Sequence, residues 1–235
     1  MNLRGLATFL CFSSLLCAAD QWKDKKPSDW TSKDAARLLA NSPWAKKASV
    51  EMDFSRTGGG PGGMGGPGGG PPGGEGPPGG DMGGPGEMPQ PEIIVRWESA
   101  APVRAADARV EDANASKIAA LAQDFYVISI TGGPMILGGR PPQEGQNRSQ
   151  PDFGRIERRL LQTASLHLKG QEVIAPDKVE VLEDAEGIKT LLLFPRSREI
   201  RAEDKEVTLV LTLGPMQVKA RFVLKDMVYD ANLAL

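Results

Sequence analysis

Cysteine is nearly missing from this chain: the two present, Cys11 and Cys17, both fall within the first twenty residues. If that stretch is a leader cut away on maturation, the rest has no disulfide framework, no thiol nucleophile and no cysteine metal site. Histidine occurs once, as His167. Imidazole triads and imidazole metal sites need further partners, so zinc or copper centres of the usual kinds are not expected. No GxxxxGK[ST] loop occurs, and no GxGxxG lies between a strand and a helix. The alternating Asp and Asn spacing of a calcium loop is absent as well. Long apolar runs are missing too. The run Leu6–Leu16 has eleven residues, where a spanning helix needs roughly 20.

That short run sits in an informative place. Arg4 precedes it, and Cys17-Ala18-Ala19 follows it with small residues ahead of Asp20. A positive start, a short apolar stretch and a small-residue exit describe a secretory signal over 1–19. A lipid anchor on Cys17 is the weaker alternative, because Leu16 stands where lipoprotein processing wants a small residue. Export predicts a periplasmic or extracellular protein. Losing Arg4 from the 28 basic residues leaves 27 against 30 acidic ones, a formal charge of −3. This near-balance gives no electrostatic reason to expect nucleic acid or an anionic membrane as partner.

Beyond the leader the sequence divides into an N-terminal arm (20–57), a Gly/Pro-rich segment (58–90) and a β-rich body (91–235). Gly58–Gly86 holds 18 Gly and 7 Pro in 29 residues. Such a stretch buries too little to offset its ordering entropy, so it is expected to be a disordered tether. Residues 132–154, rich in Gly, Pro, Gln and Asn, are expected to form a flexible loop. In the arm, Thr31 and Asp34 fit a capping box, and Ala35, Leu38 and Leu39 form one apolar face. Asn41-Ser42-Pro43 stops that helix. Ala48, Val50, Met52 and Phe54 then alternate as a strand does.

In the body, Glu92–Glu98 reads as a strand. Ser99 caps a short helix through Val103 and Ala106, and Ala113–Asp124 reads as another. Tyr126–Thr131 is again a strand. Ile156 opens a helical turn or a strand entry. After it come alternating runs at Ala164–Leu168, Val179–Val181, Val207–Leu213 and Met216–Leu224, with an apolar run at Leu191–Phe194. Gly214-Pro215 suggests a hairpin between the last two alternating runs. Phe222–Leu235 reads as a final strand at a sheet edge. The expected class is α+β, an antiparallel sheet or sandwich-like body with two or three short helices. Arm and body are expected to share one core, because a lone helix and strand bury too little to stand alone.

The stretches WTSKDAARLLANSPW (30–44), VRWESAAPVRAA (95–106) and FVLKDMVYDANLAL (222–235) resemble those of uncharacterised exported bacterial proteins. These share a helix ending in Ser-Pro-Trp, a glycine-rich insert and a β-rich C-terminal half. The resemblance implies compartment and layout, and it brings no activity, cofactor or ligand.

No residue stands out as catalytic, cofactor-binding or metal-ligating. Glu111-Asp112, Glu183-Asp184 and Glu203-Asp204 read as solvated acids at turns. His167, flanked by Leu166 and Leu168, falls on the outward face of a strand. Arg155, Arg158 and Arg159 share one face of a helical turn, with a solvated surface the better reading. Trp30 and Trp44 flank the first helix; they either pack into the core or form a stacking platform. Arg196, Arg198 and Arg201 line a loop that could hold an anionic group. These five are the candidate contact residues. The leading functional expectation is an envelope protein acting by contact with another protein or a cell-wall polymer. A glycan or small-ligand module with 132–154 as lid is the alternative, and a carboxylate-dependent hydrolase ranks third.

Overall fold

The computed structural model describes residues 25–52, 92–132, 152–170, 173–184, 187–213 and 216–235. The expected leader (1–19), the glycine-rich segment and most of the expected loop at 132–154 lie outside those residues.

Helix α1 (Ser32–Ala40) starts at the Thr31 capping box: the Asp34 amide donates to Thr31 Oγ1 at 3.1 Å and the Thr31 amide to Asp34 Oδ2 at 3.1 Å. After Pro43 the chain enters β1 (Ala45–Lys47) and, past Ala48, β2 (Ser49–Met52). The alternating stretch expected from Ala48 falls on β2 as far as Met52, with Phe54 outside the described residues, and β1 is a further strand just before it. Next come β3 (Ile94–Trp97), α2 (Ala101–Arg109), α3 (Ala115–Leu121), β4 (Phe125–Thr131), α4 (Phe153–Thr163) and β5 (Ala164–Leu168). The chain then runs through β6 (Lys178–Asp184), β7 (Gly187–Pro195), β8 (Glu206–Leu213) and β9 (Met216–Val223). It ends in a small hairpin, β10 (Val228–Tyr229) and β11 (Asn232–Leu233).

These elements make an α+β protein of four helices and two main antiparallel sheets, ordered β1-β3-β4-β7-β6 and β2-β9-β8-β5. The sheets face each other. Val95, Trp97, Ile128, Ile130, Leu192 and Phe194 of the five-stranded sheet share one core cluster with Leu166, Val207, Leu209, Leu211, Val218 and Phe222 of the four-stranded one. One side of the sandwich is closed by the chain itself, because β1 pairs with β3 in one sheet and β2 with β9 in the other. The arm and the body thus form a single unit.

Two sequence expectations are corrected. Ile156 opens neither a single turn nor a strand: it lies in the eleven-residue α4, capped by Asp152, whose Oδ1 accepts from the Arg155 amide at 3.0 Å. This helix also takes Phe153 and Gly154 from the expected loop. Phe222–Leu235 is not one edge strand. β9 stops at Val223 and lies inside its sheet, between β2 and β8, and a 3-10 turn at Leu224–Asp226 leads into the terminal hairpin. Leu224 is still buried in step with Val218, Ala220 and Phe222, and Met227, three residues on, is buried out of step, so the alternation ends at the turn.

Two residues with left-handed backbones should respond oppositely to substitution. Gly132 has φ +85°, and a Cβ there would fall 2.1 Å from the Glu92 carbonyl oxygen. Ala231, in the terminal hairpin, has φ +61°. Left-handed backbone strains a non-glycine residue by roughly 1–3 kcal/mol, partly offset by about 0.5–1 kcal/mol of glycine's extra entropy. In urea titrations, Ala231→Gly should raise stability by about 0.5–1 kcal/mol and Gly132→Ala should lower it by more than that. A fall for Ala231→Gly would refute the strain account.

Candidate functional site

The five-stranded sheet is covered on both faces, and the face away from the sandwich core holds charges under helices. Register puts Arg96, Ser129, Leu191 and Glu180 side by side, with Thr131 and Lys189 in the neighbouring row. Arg96 Nε donates to Glu98 Oε1 at 2.9 Å, and its Nη2 lies 2.8 Å from the same oxygen. The same nitrogen is 3.6 Å from Asp107 Oδ1, which α2 lowers onto the sheet. Arg96 Nη1 also reaches the Leu39 carbonyl at the end of α1, at 3.5 Å. Alongside, Lys189 Nζ meets Asp112 Oδ2 at 2.6 Å. Glu98 is 0 % exposed, Asp107 1 % and Lys189 3 %, so these three are shut off from solvent, while Arg96 and Asp112 keep a small exposed edge.

Its electrostatics are uneven. Burial, then the negative charge of Glu98, push the Asp107 carboxyl up from 3.8 to about 8, against the pull of Arg96 and Lys189. Burial also works to raise Asp112. There the hydrogen bond from Lys189 and the one from the Asn114 amide prevail, and the carboxyl lies below its ordinary value. Burial opposes the charge on Arg96, but Glu98 and Asp107 outweigh it and raise the guanidinium. Three carboxylate oxygens (Glu98 Oε2, Asp107 Oδ1 and Oδ2) find no hydrogen-bond donor, and neither Ser129 Oγ nor Asn114 Nδ2 has a hydrogen-bond partner.

The four-stranded sheet is built differently. Its strands β8 and β9 bury alternate residues, so one face packs inward and the other meets solvent. Along that outward face Ser49, Lys219, Val210 and Ser165 form one rung. Glu51, Gln217 and Thr212 form the next, and Arg221, Thr208 and His167 lie on the far side. Ser165 Oγ and His167 Nε2 are 2.9 Å apart. Lys219 pairs with Glu51 at 2.8 Å, and Arg221 pairs with Glu206. The face carries hydroxyl, amide, imidazole and paired charges, all exposed or half-exposed.

The five residues singled out in the sequence do not converge. Trp30 and Trp44 are both 0 % exposed, so neither ring offers a stacking face, and packing describes them. The Trp44 indole N–H donates to the Ala234 carbonyl at 2.7 Å, tying the terminal hairpin to the core. Arg196 is a tie as well. It lies over the Tyr126 ring at 4.3 Å and donates to the carbonyls of Phe125 and Leu235 at 3.1 and 3.0 Å. Arg201 is exposed and grips Glu199 at 2.7 Å, and Arg198 is half-buried. His167 is exposed on the outward face, where alternation places it.

The sealed network was not singled out from sequence, although it leaves a trace. Arg96 interrupts an apolar strand, Lys189 precedes the Leu191–Phe194 run, and Asp107 follows Val103 and Ala106 on the buried stripe of α2. A charge at a position whose spacing belongs to the core marks a buried pair. Comparison with protein-family models, with curated proteins and with solved structures gave no match.

Proposed function

We propose that this chain is an exported envelope protein that acts by contact, and that the outward face of the four-stranded sheet engages a cell-wall polymer. The observation that carries this reading is the difference between the sheets. Helices cover the far face of one, while the other leaves Ser165, His167, Thr208, Thr212, Gln217 and Arg221 at the surface. Donors and acceptors at strand spacing, about 4.8 Å apart, match the repeated hydroxyl and amide groups of an extended glycan. The leader and the resemblance to exported bacterial proteins support the compartment.

The mature chain should co-sediment with insoluble peptidoglycan, and the Thr208→Glu/Arg221→Glu variant should stay in the supernatant. Equal sedimentation of both proteins, or none by the wild type, would remove this reading. Intact mass from cell fractions checks export: a chain starting at Asp20 outside the cytoplasm supports it, and one keeping Met1 inside rejects it.

The hydrolase reading gains an acid of raised pKa in Asp107. Burial of both Asp107 and Glu98 keeps substrate from that acid, which makes the contact reading the stronger.

A further inference from the structure

We propose that Arg96, Glu98 and Asp107 form a proton-dependent latch that holds α2 against the five-stranded sheet, closed when Asp107 is protonated and donates its O–H to Glu98. The geometry calls for that proton. Two carboxyl groups meet in a sealed site with three of their four oxygens lacking a donor. One O–H on Asp107 supplies the missing donor and removes one of two like charges.

The charge count agrees. From β3 and the turn after it come Arg96 and Glu98, from β7 Lys189, and from the segment after α2 Asp112. The nearby end of α1 contributes the neutral Leu39 carbonyl to Arg96. Fully ionised, the cluster holds two cations and three carboxylates. With Asp107 protonated, each remaining carboxylate has one cation: Glu98 has Arg96 and Asp112 has Lys189. No reaction is involved; the proton exchanges with water when α2 lifts.

The direction of the pH effect follows. Folding raises the Asp107 pKa from 3.8 to about 8. Between those values the closed latch keeps a proton that the opened one has released, so raising pH favours opening. The full grip is present below the ordinary carboxylate range, weakens through the window and levels off above about 8. One proton linked to opening gives about a tenfold change per pH unit inside the window.

Hydrogen exchange of the α2 amides, corrected for the chemical exchange rate at each pH, reads this opening. Wild-type protection should fall about tenfold per unit between pH 5 and about 8. Asp107→Asn, neutral at every pH and able to donate to Glu98, should give a flat profile. Parallel profiles in the two proteins would overturn the latch. If Asp107→Asn does not fold, the Asp107 carboxyl carbon in the wild type decides: a protonated shift at pH 7 upholds the latch, and an ionised one ends it.

Discussion

Arg96→Ala should cost this protein about 3–5 kcal/mol, a large part of the roughly 5–15 kcal/mol that holds a domain together. The size comes from what remains behind. Glu98 is wholly buried, and the Arg96 guanidinium supplies both contacts to its Oε1. Without the arginine a carboxylate stays in the interior uncompensated, or takes up a proton at a cost in free energy. Asp107 loses its nearest cation in the same step. Replacing Arg96, Glu98 and Asp107 together by leucine should cost much less, because no charge is then stranded. Urea unfolding of both variants at pH 7 makes the comparison. An Arg96→Ala loss below about 1 kcal/mol would mean that water reaches the cluster and that the site is not sealed.

Phe222→Ala should rank second, at about 3–5 kcal/mol, and for an unrelated reason. Phe222 projects from β9 in one sheet and meets Trp97 of β3 in the other, edge to face at 5.4 Å. Trp97 in turn meets the Tyr126 ring at 6.0 Å. The phenol oxygen of Tyr126 accepts from the Ile200 amide at 3.0 Å, which fixes the loop after β7. Deleting the Phe222 ring leaves a cavity between two hydrogen-bonded sheets that cannot collapse freely to fill it. Phe222→Leu retains most of the volume and should cost about 1–1.5 kcal/mol. Calorimetric unfolding separates the two variants. Equal losses would point to the edge-to-face contact rather than the void as the cause.

The strands were legible because their alternation is clean. Val207, Leu209, Leu211 and Leu213 all point inward, as the period of two requires. The Thr31 cap and the Pro43 stop also read directly, since each acts within a few residues. Legibility failed where the cause was distant. Nothing local tells that the chain turns at Leu224–Asp226 and buries Met227 out of step, so from sequence the chain end reads as one long strand. The crossing at Ala48 is hidden too, since β1 is only three residues, Ala-Lys-Lys, with no alternation to mark it as a strand, and the partners on either side are remote in sequence.

The candidate contact residues fared according to their surroundings. Sequence marks Trp30 and Trp44 as large aromatics beside a helix, but whether such rings face inward depends on the far end of the chain, where Ala234 closes over Trp44. From sequence Arg196 reads as a surface cation because its partners, Tyr126 and the carbonyls of Phe125 and Leu235, are remote along the chain. The sealed network escaped notice for the same reason: Arg96, Asp107 and Lys189 come from three separate elements.

The passage of the chain from β1 to β2 through Ala48 has a further effect. In most sandwiches each sheet sets its strand alignment by itself. Here β1 fixes Lys47 against Ile94 while β2, two residues on, fixes Ser49 against Lys219. A slide of two residues along β3 would drag β2 by the same amount along β9 and set Val50 against Met216 or Ala220 instead of Val218. The two sheets are therefore indexed to one another, like two scales read by a single pointer.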